Sequence, residues 1–173
     1  MNIHIRTWHQ DDLEVVRYIL WETWKETYSS FIPMDDMLAY FHEQYTVQKL
    51  SDQYHDANVI GFIAEADDIL AGYEKTSYSE KEQRLYVRQL YILSVYQNLG
   101  IGRKLMNSAA ERAISLGLDE IWLGVMDKNI SALAWYKKMG YEVVDRAPFT
   151  MGNTTVDHFI GYVPVGRILS KNT

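Results

Sequence analysis

Eight residues, Gln97-Asn98-Leu99-Gly100-Ile101-Gly102-Arg103-Lys104, constrain the fold of this chain more than any other stretch. They stand between a stretch that reads as a long strand, Arg84 to Leu93, and a run with Leu105, Ala109, Ala113 and Leu116 at helical spacing. Two glycines within three residues let the backbone turn tightly from strand into helix and leave room for another group to come close. A helix that starts there presents unpaired N–H groups and the positive end of its dipole, where phosphate oxygens bind. Arg103 and Lys104 add positive charge. Two nucleotide-binding fingerprints fail: the GxxxxGK[ST] spacing is absent, and Leu105 stands where a dinucleotide fold needs its third glycine. Alone, the turn fits either a ligand cradle or a glycine-assisted corner.

The hydrophobic period changes along the chain. Ile3 to Arg6 alternates as a short strand, and Asp11-Asp12 offers an N-cap to an amphipathic run carrying Leu13, Val16, Leu20 and Trp24. Pro33 restarts the chain after Tyr28-Ser29-Ser30, opening a helical stretch around Met37, Leu38 and Phe41; a third short helix reads from Val47 to Tyr54. From Val59 to Ala64, through a turn at Asp67-Asp68, to Ile69–Ser77 the pattern is a hairpin. Gly117 stops the helix that follows the glycine turn. Ile121 to Met126 is nearly all apolar, as in a strand covered on both faces. Asn129 is placed to cap Ile130–Met139, Gly140 supplies a left-handed stop, and Tyr141–Val144 and Thr155–Tyr162 finish as strands around Gly152-Asn153. This order implies one α/β domain over residues 1–173 built on a mixed sheet.

Composition narrows the function. With no cysteine, disulfides, thiolate metal sites and a cysteine nucleophile are excluded. His4, His9, His42, His55 and His158 lack ligand spacing, so no metal is expected and they read as surface or packed residues. No apolar run approaches the roughly 18 residues needed to cross a bilayer, which with the absent leader pattern implies a cytoplasmic protein without a membrane partner. Residues 1–96 carry 8 Lys+Arg against 16 Asp+Glu, a net of −8, while residues 97–173 carry 9 against 7, a net of +2. An acidic chain is a poor nucleic-acid binder. The asymmetry fits a cationic ligand on one half and an anionic one on the other, and equally fits solvated faces.

Leu90-Tyr91-Ile92, the Gln97-x-x-Gly100-x-Gly102 turn, Asn129 with Ala132 and Tyr136, and Lys138-Met139-Gly140-Tyr141 recur together in order. That constellation resembles the GNAT superfamily of acetyl-CoA-dependent N-acetyltransferases. The last third, through Trp135-Tyr136-Lys137-Lys138-Met139-Gly140-Tyr141 and Phe149-Thr150-Met151-Gly152, is similar to the PaiA-type enzymes that acetylate spermidine and spermine. The resemblance implies a mostly antiparallel central sheet flanked by helices and splayed at the acetyl-CoA site, near Tyr91 and Ile92. It further implies that Tyr91, Ile92 and Leu93 line the pantetheine slot, with the Ile92 N–H polarising the thioester carbonyl. Gln97, Asn98, Leu99, Gly100, Ile101, Gly102, Arg103 and Lys104 would hold the pyrophosphate. Asn129 would bond the pantetheine arm, with Ala132 leaving room beside it. Tyr136 would give a proton to the departing thiolate, a reasonable transfer for a phenol near about 10 and a thiol near about 8.5.

The attacking amine must itself lose a proton, since a lysine-like amine near about 10.4 is almost wholly charged at neutral pH. Similar enzymes carry acidic residues on the long strand before the glycine turn, where this chain has Tyr86 and Arg88. Glu74 on the neighbouring hairpin strand is the first remaining base candidate and Glu65 the second, each also readable as an ordinary exposed carboxylate. Trp24, Tyr28 and Phe31 are acceptor-pocket candidates, although an aromatic stripe at helical spacing also reads as core. The partner implied is a small cationic amine, with direct transfer in a ternary complex; a homodimer is allowed. The alternatives are a non-catalytic acetyl-CoA-binding regulatory module, or an acetyltransferase for peptide N-termini, amino acids or aminoglycosides.

Overall fold

A computed structural model describes residues 1–170. Seven strands form one sheet in the order β1-β2-β3-β4-β5-β7-β6. They are β1 (Ile3–Thr7), β2 (Val59–Ala66), β3 (Ile69–Ser79), β4 (Arg84–Ile92), β5 (Glu120–Met126), β6 (Glu142–Met151) and β7 (Thr154–Pro164). Every neighbouring pair is antiparallel except β4 and β5, which run parallel. The helices are α1 (Leu13–Tyr28), α2 (Met34–Gln44), α3 (Val47–Tyr54), α4 (Ile101–Ser115), α5 (Ile130–Lys138) and α6 (Val165–Leu169). Among the described residues no helix is long and apolar enough to cross a membrane.

Each sheet face has its own core. On one, Val16, Ile19, Leu20 and Trp24 of α1, Met37 and Phe41 of α2 and Leu50 of α3 pack over Ile63, Tyr73, Met126 and Met151. On the other, Met106, Ala109 and Ala113 of α4 and Tyr136 of α5 cover Leu85, Val87, Ile121 and Val125, with Ile168 of α6 alongside. Ile121 to Met126 is apolar throughout because β5 is covered from both sides.

Two local expectations change, and one element, α6, had no expectation attached to it. The Asp12 side chain does not cap α1: its carboxylate accepts from the His9 N–H at 2.6 Å, closing the 3-10 turn Gln10–Asp12, and from both terminal nitrogens of Arg6 at 2.7 and 2.9 Å, tying β1 to the turn before α1. Burial alone would raise that carboxyl, but the bonds from Arg6 and His9 outweigh it and hold it below the ordinary range. The strand expected at Tyr141–Val144 runs from Glu142 to Met151, straight through Pro148. It is the sheet's edge, where a residue without an N–H costs no ladder bond. Finally, the five residues of α6 were too short a run to show helical periodicity.

The parallel pairing of β4 and β5 determines where a ligand can enter. It consists of two residue pairs, Leu85 with Ile121 and Tyr86 with Trp122, and then the strands separate. The sheet therefore splays from Val87 onward, earlier along β4 than Tyr91. An extra residue at Arg88, between the Val87–Thr76 and Gln89–Lys75 partners, bends β4 at that point.

Candidate active site

The gap carries unpaired backbone. The Leu93 N–H donates to the Ala71 carbonyl at 3.0 Å, which makes Leu93 and Ala71 a hydrogen-bonded pair. Antiparallel ladders alternate, so Tyr91 and Gln89 also bond β3, whereas Leu90 and Ile92 turn their N–H and C=O groups toward β5. The Ile92 carbonyl accepts from the Gln97 side chain at 3.1 Å, leaving its N–H and both groups of Leu90 directed into the gap. A cleft of about 740 Å³ opens there.

At one end the glycine turn delivers the N-terminus of α4. Gly100 is its N-cap at φ +80°, a left-handed conformation that L side chains rarely adopt, and nothing lies within 4 Å of where its Cβ would be. Gly102 has a different role. A Cβ there would sit 2.9 Å from the Trp135 ring and 3.2 Å from Ile92 Cδ1, so its missing side chain lets α4 pack against α5. Gln97, Asn98, Ile101 and Arg103 line the cleft with the two glycines. Arg103 is held by a 2.7 Å bond from its guanidinium to the Ile168 carbonyl.

Three of the residues expected to hold acetyl-CoA fall outside the lining. Leu93 spends its N–H on β3 and its side chain on the α1-side core; Leu99 and Lys104 are exposed beside the turn. Opposite the turn, Asn129 caps α5 by accepting from the Ala132 N–H at 3.2 Å, and Asn129, Ala132 and Tyr136 all line the cleft. Tyr136 is 8% exposed, edge-on to Trp135 at 4.8 Å. Burial, reinforced by Glu74, Tyr91 and Tyr141, pushes its phenol well above 10 and keeps it protonated.

The α1–α2 side of the cleft is aromatic. Trp24, Tyr28, Tyr40, Tyr45 and Phe149 line it, with Tyr28 and Tyr91 sharing a hydroxyl–hydroxyl bond of 3.0 Å. Burial pushes Tyr28 up to about 12. Phe31 supports Tyr28 edge-on at 5.8 Å from outside the lining.

The base candidates read from the sequence do not reach this cleft. Glu74 is 0% exposed, with neither carboxylate oxygen partnered, so it is not an exposed carboxylate. It shares a face of β3 with Gly72, whose Cβ would meet Ile92 and Ile101, and it therefore lies under α4. Burial raises its carboxyl well above the ordinary value. Glu65 is paired to Arg6 at 2.7 Å on the β1 side. Among the described residues no carboxylate lines the cleft, while Arg88, Arg103 and Lys138 do. Tyr86, by contrast, donates to Glu82 in the turn before β4.

Sequence reasoning missed His158 of β7, which lines the cleft with its ring 4.6 Å from that of Phe149. No local motif marks it; only the pairing of β5 with β7 brings it there, opposite Met126.

A family model described as the acetyltransferase (GNAT) family matches residues 14–141. Streptothricin acetyltransferase of Streptomyces lavendulae is 38% identical over 87 residues, which are 50% of this chain and 46% of that protein. The chain thus spans under half the length of that relative. Spermidine N(1)-acetyltransferase of Thermoplasma acidophilum is 26% identical over 149 residues, 84% of this chain and 91% of that one. In fold, the PaiA N-acetyltransferase of Thermoplasma acidophilum, solved in complex with coenzyme A, superposes with a TM-score of 0.82 at 24% identity, covering 95% of this chain and 99% of that one.

Proposed function

The chain belongs to the acetyltransferase (GNAT) family, whose donor is acetyl-CoA, and on that footing we propose that it acetylates the primary amine of a small cationic acceptor by direct transfer in a ternary complex. The observation that carries the reading is the gap between β4 and β5. It leaves the Ile92 N–H and the Leu90 N–H and C=O without strand partners, facing a glycine-capped helix N-terminus and Tyr136. A pantetheine arm is a chain of amides, and it can pair with this edge as a strand would. The α4 N-terminus and Arg103 suit the pyrophosphate, and Asn129 suits the arm. An N–H of Leu90 or Ile92 suits the oxygen of a tetrahedral intermediate.

Tyr136 is assigned the proton for the departing sulfur. Its raised pKa does not disqualify it, because the same dry surroundings raise the thiol, and the difference between the two sets the transfer.

The cationic acceptor is supported by the similarity to the Thermoplasma spermidine enzyme and by the aromatic wall. Ammonium groups bind over the faces of Trp and Tyr. This replaces carboxylate attraction as the source of recognition, since the acidic side chains of the first 96 residues do not line the cleft.

The test is a thermal-shift titration with coenzyme A, followed by thiol release from acetyl-CoA over spermidine, spermine, lysine, a peptide with a free N-terminus and kanamycin. A coenzyme A-dependent rise in melting temperature with turnover of the polyamines is expected. Binding without thiol release marks a regulatory module instead, and turnover of peptide or amino acid alone overturns the acceptor assignment.

A further inference from the structure

A primary amine enters the cleft as an ammonium ion, and some group must take its proton before it can attack. The ionisable side chains that line the cleft can be sorted by their chemistry. Arg88, Arg103 and Lys138 contribute basic groups, burial raises Tyr28, Tyr45, Tyr91 and Tyr136 above the ordinary phenol value, and no carboxylate is present among the described residues. One lining side chain is left that can accept a proton. We propose that His158 is the general base that deprotonates the acceptor ammonium.

Geometry supports the assignment independently of this elimination. His158 is the register partner of Met126, whose side chain lies in the α1-side core, so the imidazole stands on the acceptor face of the sheet. Tyr136 belongs to the opposite core. A Cβ on Gly124 would lie 3.9 Å from His158 Nδ1, so the ring lies beside β5 just past its last pairing with β4 at Trp122. Phe149 packs on the ring and is itself contacted by Tyr40 of the aromatic wall at 5.5 Å.

Burial lowers the imidazole below 6.5, which keeps it neutral, while the charge of Asp127 works the other way and favours the protonated form. Asp127 Oδ1 is buried without a partner, and Oδ2 binds Arg146, which also pairs with Asp157. A carboxylate so placed stabilises the imidazolium when it forms.

The protons balance. His158 takes one proton from R–NH3⁺, and the free amine attacks the thioester carbonyl, forming C–N. As the intermediate collapses the C–S bond breaks. The second nitrogen proton leaves and the sulfur gains one through Tyr136, so the products are the amide, the thiol and one net proton released from His158.

This inference rests on the acetyl-transfer reading, and one pH series separates the two. Thiol release by wild type and His158→Asn is measured from pH 5 to 10 with the fastest acceptor of the amine panel, alongside the coenzyme A-induced thermal shift. The variant should lose about 10²-fold or more in kcat at pH 7, as expected for a lost base. Its residual rate should then climb tenfold per pH unit toward the amine's own pKa, near about 10.4, closing on wild type. Near-native kcat at pH 7 in the variant overturns the assignment while leaving acetyl transfer standing. A wild type that binds coenzyme A but acetylates no amine overturns both. If His158→Asn loses its coenzyme A-induced shift, Asp127→Asn is read instead. Removing that charge should move the acidic limb of kcat/KM to lower pH, and an unmoved limb defeats the proposal.

Discussion

Glu74 offers the sharpest physical test, because a carboxyl with no exposure and no partner must fold without its charge. Its ordinary pKa when unfolded is about 4.3, and burial raises it well above that in the folded protein. Between those two values the unfolded state has lost a proton that the folded state keeps. Stability is therefore highest below the unfolded pKa and falls as pH rises, by about 1.4 kcal/mol per pH unit for one proton. The decline stops when pH passes the folded value. Glu74→Gln is nearly isosteric and neutral at every pH, so it removes this slope and little else. The two proteins should have similar stability near pH 4.5 and diverge above roughly pH 5.5, the variant gaining about 1.4 kcal/mol over wild type for each pH unit until the folded value is passed. For a chain of this length each such step corresponds to roughly 3–6 °C in melting temperature. The assay is urea unfolding of both proteins across that pH range, read as the difference so that the histidines cancel. Parallel stability curves would refute the reasoning, showing that Glu74 is ionised in the folded protein.

Tyr136→Phe should lower kcat by about 10²–10⁴-fold while leaving the coenzyme A-induced thermal shift intact; near-native turnover would remove the tyrosine from the proton path. The two glycines of the turn should separate. Gly102→Val should lower the melting temperature strongly, by overpacking against Trp135 at a cost of about 1–3 kcal/mol. Gly100→Ala meets no protein atom, so it should lose only about 1–2 kcal/mol of backbone strain but forfeit much of the coenzyme A shift. Salt gives the fourth test. At saturating acetyl-CoA, acceptor kcat/KM should change less than about twofold over roughly 0.05–0.5 M salt, because among the described residues no carboxylate lines the cleft to be screened; a steep fall would mean acidic groups hold the acceptor.

Local chemistry made most of the fold legible. Period two against period 3.6 separated β2 and β3 from α1 to α3, and Gly100, Gly117 and Gly140 marked helix boundaries because each takes a positive φ. What stayed illegible depended on partners distant in sequence. The length of β6 follows from its place at an edge, which no window around Pro148 reveals. Glu74 reads as a surface carboxylate in a hairpin with mixed polarity, and only the packing of α4 over β3 buries it. At the site, the turn lies at the start of α4, and Asn129 and Tyr136 lie at the cap and in the last turn of the one short helix α5, so local motifs could carry them. His158 and Phe149 reach the cleft through the β5–β7 and β6–β7 ladders, and Tyr40 and Tyr45 through the packing of α2. None of these has a spacing that a single sequence can expose.

The division of the cleft between two sheet faces follows from the same ladders. On β4, Leu85 and Val87 point toward α4; the extra residue at Arg88 shifts the alternation, so Leu90 points that way as well. Gln89 and Tyr91 are thereby turned to the α1 side, where Tyr91 meets Tyr28. The bulge thus bends β4 away from β5 and still keeps an apolar floor under α4 and a polar, aromatic wall under α1. A donor reaching Tyr136 and an acceptor reaching His158 would approach the same gap from opposite faces. On the proposed reading neither needs to leave before the other arrives, which is the arrangement that direct transfer without a covalent nucleophile requires, and a chain without cysteine has no thiol to offer as one.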